Sequence, residues 1–506
     1  MKMKNAGFFV LPFLFDETTF DQMPEHLLVK IEPNSAPRSF TLLDCHDQSL
    51  RAKGRLLIQT DGMLQLLRSD GQSFIQHCEG KDQFALDLPT GPVSSALKGF
   101  PVLRALIAVG QGEIQTNSLA ILDDLQKTQV RGSVWSMSTD VGQVTVIVIE
   151  KLRGYERVFA KVCAALAEKA AQDERFEAVY KGLFPDMRPY QAKPDIHLGK
   201  NEPSIEVAAD IIRTYLAVAR QNEEGVIADT DTEFLHDYRV SLRKIRSVIS
   251  LFKGVFSESQ TVELKQLFSE LMASTGRMRD LDVYLLEKDM YFKLIPPNLH
   301  AGLQAMFEQF QEERGQEFTR LKRRLRSAAY DKTMKDLNAV FDGPSQLEPG
   351  KNAQRGAYEY ACALIWKRYR KVCKLARSIS ENTPDDLVHD LRIDCKKLRY
   401  LMEFFAPLFD AKDFKTIIKP LKRLQDNLGL FNDFSVQQAA LLSFVSRYST
   451  TQGRVEAQIG LAAGGLIAMM NQRQRAERDR VMSSFQQFDG PDIRHLFRSL
   501  FHQTEE

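Results

Sequence analysis

The sequence predicts a sheet-rich α+β domain over residues 1–181, followed by an all-α domain over residues 205–501 in which one helical unit occurs twice. Three observations predict this. Short apolar runs that alternate with polar residues and break at Gly, Asp and Asn dominate residues 1–150, as strands do. Beyond residue 205 the apolar residues recur at helical spacing instead. Within that helical part, HDLRIDCKKLR at 389–399 repeats HDYRVSLRKIR at 236–246, a lag of 389 − 236 = 153 residues. The lag runs on without a gap. Phe252 and Phe256 meet Phe405 and Phe409, Leu271 meets Leu424, and Gly276, Asp280 and Val283 meet Gly429, Asp433 and Val436. A period that long is no solenoid repeat. It fits a helical bundle made twice, with halves 205–341 and 353–501.

In chain order, MKMKNAGFFVLPFLF carries two lysines and a short apolar run. Pro12 interrupts the run and no small-residue cleavage site follows, so a strand is expected there rather than a signal peptide. Further strands are predicted at 29–32, 39–44, 55–59, 74–78 and 144–150. VSSALKGFPVLRALIAV, 93–109, reads as a helix interrupted at Pro101, and 155–180 as a longer helix. Residues 182–204 carry four prolines and read as a linker. Helices then follow at 205–221, 231–256, 261–275 and 281 to about 341, with a break at Pro296-Pro297. DGPSQLEPGKN, 342–352, separates the halves. The second half predicts helices at 353–380, 384–409 broken at Pro407, 413–428, and from 433 onwards. Gly276 and Gly429 read as left-handed helix stops, with Asp280 and Asp433 capping the next helix. Asp280 and Asp282 form a D-x-D that could touch a metal, but Ser435 replaces its second acid in the other half, which favours capping.

The stretch 231–256 is the most informative. Wound at about 100° per residue, it puts His236, Arg239, Arg243 and Arg246 within an arc of roughly 80°. Leu242, Ile245, Val248, Ile249 and Phe252 take the other side. An ordinary solvated face mixes signs to gain i,i+4 pairs, whereas a one-sign stripe suits an anion. The second half repeats it as His389, Arg392, Lys396 and Arg399. Arg320, Arg323 and Arg324 form another cationic stripe, and Lys367-Arg368-Tyr369-Arg370-Lys371 another cluster. Arg473, Arg475, Arg478 and Arg480 interleave with Glu477 and Asp479 and read as a self-neutralised face. Guanidinium forks match phosphate, and lysine adds a mobile point charge. Each histidine either joins its stripe as a binding group or caps and braces the bundle. Asp237 and Asp390 lie about 100° from them, so a His–Asp couple within one helix is not expected. No Ser or Cys stands in a nucleophile motif, and no catalytic residue is assigned.

Net charge is only +2, so any anion site must come from placement. Residues 1–200 hold 23 Lys and Arg against 24 Asp and Glu, leaving 68 − 23 = 45 against 66 − 24 = 42 for the rest. Six scattered cysteines without CxxC argue for a reducing compartment and against zinc. No apolar run reaches about 18 residues, and IGLAAGGLIAMM, 459–470, reads as a buried helix segment, so no membrane insertion is expected. A cytoplasmic protein is the expectation.

HDYRVSLRKIR with RMRDLDV, and HDLRIDCKKLRYLMEFF with LQDNLGLFNDF, resemble the paired motifs of the CHAD domain, the conserved histidine α-helical domain. The resemblance covers roughly residues 204–501. It implies two four-helix bundles related by a pseudo-twofold, with basic faces turned to a shared surface, and binding of inorganic polyphosphate. The residues it assigns to that polymer are His236, Arg239, Arg243, Lys244, Arg246, Arg320, Arg323, Arg324, His389, Arg392, Lys396, Lys397, Arg399, Lys422 and Arg423.

The first part is similar to a degenerate CYTH domain, the tunnel-shaped β-barrel of adenylate cyclases and triphosphatases, through TLLDCHDQSLRAKGRLLIQ. That family opens with Glu-x-Glu-x-Lys, where this chain has His26-Leu27-Leu28-Val29-Lys30. Leu57 and Gln59 stand in place of its paired arginines, and 144–151 lacks inward acids. Two-metal chemistry needs several oxygen ligands, so neither metal nor cofactor is expected. Lys30, Arg55 and Arg131 are the surviving triphosphate-ligand candidates, with an ordinary surface role as the alternative. The leading reading is therefore a non-enzymatic polyphosphate binder. A metal-dependent CYTH-type triphosphatase with an accessory CHAD domain comes second. Nucleic acid comes third, for want of an aromatic stacking platform in the sequence.

Overall fold

The computed structural model describes residues 6–502 apart from 16, 21–26, 79–83, 172–174, 344–345, 381 and 449–453. The chain divides into two compact units, Met1–Ala192 and Lys193–Glu506.

The first unit is one antiparallel sheet with helices on its faces. Its strands are β1 (Ala6–Leu11), β2 (Leu28–Pro33), β3 (Arg38–Asp44), β4 (Arg55–Thr60), β5 (Met63–Arg68), β6 (Ser73–His77), β7 (Ile107–Leu122), β8 (Thr128–Ser138) and β9 (Gln143–Lys151). They lie in the order β1-β9-β8-β7-β3-β4-β5-β6, and β2 also pairs with β7. The helices are α1 (Ser49–Ala52), α2 (Pro92–Ala96), α3 (Glu156–Lys169) and α4 (Arg175–Leu183). Val144, Val146 and Val148 of β9 pack with Trp135 and Met137 of β8 and with Val179 and Leu183 of α4. Ile147 and Ile149 pack on the other face with Phe159, Val162 and Leu166 of α3. Covered on both faces, β9 reads as an unbroken apolar run. Asp44 is fully buried and ties the β3–α1 turn, accepting from the amides of Cys45, Leu50 and Arg51 and from the Tyr180 hydroxyl.

Several expectations are corrected here. The helix at 93–109 is only the five residues of α2, because Gly99 adopts φ +80° and Pro101 follows. Its C-terminal end begins the 16-residue β7, which was missed along with β5 and β8. The helix at 155–180 is two helices, α3 and α4. The barrel-like expectation meets a sheet in which no ladder joins β1 to β6 among the described residues. The two edges nevertheless approach, since a Cβ on Gly71, beyond β5, would stand 2.9 Å from Ala6 Cβ on β1.

The second unit is helical throughout. Its helices are α5 (Ser204–Ala228), α6 (Thr232–Leu251), α7 (Glu258–Ala273), α8 (Gly276–Leu286), α9 (Lys288–Leu294), α10 (His300–Leu325) and α11 (Ala328–Asp342), then α12 (Ala357–Arg377), α13 (Asp385–Phe405), α14 (Ala411–Tyr448), α15 (Arg454–Phe488) and α16 (Pro491–Phe501). Asp231 caps α6 by accepting from the amides of Glu233 and Phe234. A Cβ on Gly225 would come within 2.1 Å of the Phe234 ring, so glycine permits the α5–α6 crossing. The apolar side of α6 is buried as expected.

The halves do not keep separate cores. One cluster joins α5, α6 and α7 to α12, α13 and α16. Another packs Tyr284, Phe307 and Phe310 of the first half against Leu441, Phe444, Ile459 and Leu466 of the second. Phe252 and Phe405, one lag apart, stack at 4.8 Å with 9° between their planes.

The cap assignments also fail. Gly276 and Gly429 are not left-handed, and Asp280 and Asp433 lie inside α8 and α14. The first half does break at Ser274–Thr275, where both hydroxyls bond back to α7 carbonyls. The second half has Asn427 and Leu428 there, and α14 runs through as a single 38-residue helix. Asp282 touches no metal site. It is buried and accepts from Arg314 Nε at 2.7 Å, while the Arg314 fork grips Asp229 at 2.8 and 2.6 Å.

Phe405→Ala should destabilise the protein by about 3–5 kcal/mol, as for other buried aromatics, and Phe252→Ala by a similar amount. Because the rings share one contact, the double variant should cost less than the sum of the two. Denaturant melts of the four proteins measure this, and strict additivity would show the stack to be incidental.

Candidate polyanion interface

Helices α6 and α13 pack against each other and bring their stripes together. Arg243 and Lys396 occupy equivalent positions, 243 + 153 = 396, and the charge of Arg243 bears on Lys396. Burial first, and then Arg243, Arg392 and Arg399, depress the Lys396 ammonium to about 8 from an ordinary 10.5. Asp433 opposes that shift, and the Tyr400 ring lies 5.7 Å from the Lys396 nitrogen. Arg239 is depressed by burial and then by Arg243, with Arg279 adding to it. One field of cations therefore runs from Arg279 and Arg239 through Arg243 and Lys396 to Arg392 and Arg399.

The stripe residues divide by what holds them. Arg239 Nη1 donates to the Met272 carbonyl at 3.1 Å and to Thr275 Oγ1, where the α7 break frees backbone acceptors. Its counterpart Arg392 reaches Asp433 at 3.8 Å and makes no other ion pair among the described residues. Arg246 touches Met272 Sδ, and its counterpart Arg399 pairs with Glu403 at 2.9 Å. Lys244 is only 12% exposed, pairs with Glu403, and lies over the Tyr400 and Phe404 rings, so it serves the α6–α13 packing. Lys397 looks elsewhere, toward Asp394, Arg368 and Lys371, and burial lowers it.

Both histidines brace neighbouring helices with the same spacing. Arg279 Nη2 donates to His236 Nδ1 at 3.0 Å. His389 Nδ1 donates to Asn432 Oδ1 at 2.7 Å. The partners are themselves one lag apart, 279 + 153 = 432. Sequence reading missed Arg279, Asn432 and Tyr400 as members of this site. The lag alone could have flagged the first two. Asp280 and Asp433, read as caps, are countercharges to Arg239 and Arg392.

The remaining candidates do not join this field through any contact described here. Arg320 pairs with Glu317 on its own helix, and Arg324 reaches the Glu270 carbonyl at 3.4 Å. Arg323, Lys422 and Arg423 are exposed on α10 and α14. In the first unit, His26 lies outside the described residues. Lys30 pairs with Glu32 at 2.7 Å. Arg55 donates to the Ala96 carbonyl and stacks on Phe100. Lys30 lines a cavity of about 560 Å³ between β2 and β7, and Arg131 lines one of about 1290 Å³ with Arg38, Trp135 and Glu150. Leu57 is buried against α2, on the sheet face opposite Leu56 and Ile58. An arginine at 57 would therefore point away from the face that packs on α4. Among the described residues no group of three His, Cys, Asp or Glu is placed to hold a metal, and no helix is long and apolar enough to cross a membrane.

Residues 210–442, within the helical unit, match the CHAD domain family. Among solved structures the chain is similar to the CHAD domain from the plant Ricinus communis, at 24% identity and a TM-score of 0.46, covering 62% of this chain and 96% of that one. It is also similar to PptA from Streptomyces chartreusis, at 14% identity and a TM-score of 0.45, covering 56% and 100%. No curated protein matches the chain.

The depressed Lys396 gives two pH dependences of known sign. With the folded value near 8 below the ordinary 10.5, the unfolded chain holds more protons between them. Stability from this residue should therefore rise as pH climbs from about 8 to 10.5. A polyanion restores the charge, so binding at or above pH 8 should take up a proton. Titration calorimetry in buffers of different ionisation enthalpy measures that uptake, which Lys396→Met should remove.

Proposed function

We propose, taking residues 210–442 as a CHAD domain, that this protein binds inorganic polyphosphate without hydrolysing it. The polymer lies along the shared face of α6 and α13. The observation that carries this reading is the approach of Arg243 to Lys396. A half-buried ammonium whose charge is disfavoured by a neighbouring guanidinium inside a packed helix pair is a standing cost. A polyanion relieves it. The same reading takes the halves as a duplicated unit whose pseudo-twofold passes near the Phe252–Phe405 stack, because only residues near such an axis touch their own equivalents. Each half is then a four-helix bundle in plan, with cores merged across the axis. Arg243, Arg246, Arg392, Lys396 and Arg399 meet the phosphates. Arg239, Lys244 and the two histidines hold the helices in position. Arg320, Arg323, Arg324, Lys397, Lys422 and Arg423 lie off the central track and engage only longer chains. The front sheet is a CYTH-like domain that has lost its chemistry, and the protein works in the cytoplasm where polyphosphate accumulates.

Charge reversal tests this directly. Arg243→Glu with Lys396→Glu should weaken polyphosphate binding by about tenfold or more per lost contact, as for charged hydrogen bonds. The slope of log affinity against log salt should fall by about 0.7 for each phosphate released. Folded variants with unchanged affinity and slope would make the stripe a solvated face. Asn432→Ala should lower the melting temperature with little change in affinity.

Incubation with triphosphate or ATP and Mg²⁺ or Mn²⁺ should release no phosphate. Release abolished by substitutions within residues 1–192 would instead establish the triphosphatase reading.

A further inference from the structure

We infer that the groove between α12 and α16 is a second binding site, and that it takes single-stranded nucleic acid. Trp366, Arg370, Lys374 and Arg377 follow one face of α12 at i, i+4, i+8 and i+11, so successive groups rise by about 4.5–6 Å. Arg494 and Arg498 form a second rail on α16, and together these residues line a groove of about 740 Å³. Two buried rings beneath it, Tyr369 and Phe497, stack at 3.8 Å and 6°, fixing the helices side by side. Trp366 stands half-buried in the wall, with the exposed His502 ring edge-on to it at 5.0 Å.

The charge of the groove is only partly compensated: Lys371 pairs with Asp394, and Arg377 and Arg494 share Asp489. No carboxylate lines it. Asp489, buried behind, accepts from Arg377 at 2.8 Å, and its carbonyl accepts from Arg494 at 2.9 Å. Arg370, Lys374 and Arg498 make no ion pair among the described residues. Nor is the groove a copy of the duplicated stripe. One lag back from Arg370, Lys374 and Arg377 stand Ala217, Gln221 and Glu224. These cations belong to one half alone and need a separate reason.

Two cationic rails beside an indole and an imidazole supply what a single strand needs. The rails track phosphates, and the rings offer faces to unstacked bases. Polyphosphate would use the rails and leave the rings idle. The aromatic platform absent from the linear sequence forms only where α12 meets the C-terminal helix.

The test uses the full chain carrying Arg243→Glu and Lys396→Glu, which silences the α6–α13 face. The probe is a fluorescent oligothymidylate of about a dozen nucleotides, within the site sizes such grooves cover. Binding should persist in this background. Trp366→Ala should weaken it about tenfold, whereas Trp366→Phe should largely retain it. Arg370→Glu with Lys374→Glu should weaken it and flatten its salt dependence. In a Trp135→Phe chain, which leaves Trp366 as the remaining tryptophan, the oligonucleotide should quench the fluorescence. Charge reversal that weakens binding while Trp366→Ala does not would overturn the inference in favour of an indifferent polyanion patch. Absence of quenching would overturn it as well.

Discussion

The packing of α6 on α13 is the contact on which the helical unit depends. Their apolar sides meet through Phe252 and Phe405, ring on ring, and the flanking Phe404 and Tyr360 rings lock that stack edge-on. Burial of these aromatics is favourable enough to tolerate what sits beside it. Like charges at Arg239, Arg243, Lys396 and Arg399 are held close on partly dehydrated ground. Glu403 offsets part of this by gripping Lys244 and Arg399 together. The hydrophobic contact is thus the reason the cations can be gathered at all. Loosening it would let them drift apart before any ligand was lost.

Equivalence between the halves holds at their meeting line and fades away from it. His236 and His389 both brace a helix 43 residues on, but one partner is an arginine and the other an asparagine. Arg239 is fastened to a carbonyl, while Arg392 faces Asp433 at the longer distance of 3.8 Å. Lys244 and Lys397, equal in sequence position, are committed to different neighbours. A site built this way is two-sided without being symmetric, with some side chains of the first half tied down where their counterparts are not.

Much of the helical unit was legible in the sequence because periodicity and a 153-residue lag both report burial. The apolar side of α6 is a case in point, since Leu242, Ile245, Val248 and Ile249 are all buried. What escaped depended on tertiary partners. Asp280 and Asp433 have the spacing of caps, and nothing local distinguishes a cap from a countercharge to an arginine on another helix. Gly429 was read as a stop, yet a glycine within a well-packed helix costs only about 1 kcal/mol, and α14 absorbs it. In the sheet, β7 and β8 carry many polar residues and two glycines near the start of β7, so their alternation was masked. The registers of Leu57 and Arg55 were equally hidden, because a strand's two faces are fixed only by what packs on them.

The break at Ser274–Thr275 has a mechanical meaning. A continuous helix of 38 residues is a strut about 57 Å long, stiffened along its side by the 35 residues of α15. The corresponding stretch of the first half is two short rods joined at a turn, with Arg239 gripping the joint and Arg277 tying the second rod to Glu313. Load applied across the two halves would be borne unequally. The α13–α14 side has no such joint at the equivalent position, although Pro420 removes one hydrogen bond from the α14 ladder. The α6–α8 side would flex at its joint to match the pitch and bends of whatever chain lay across both.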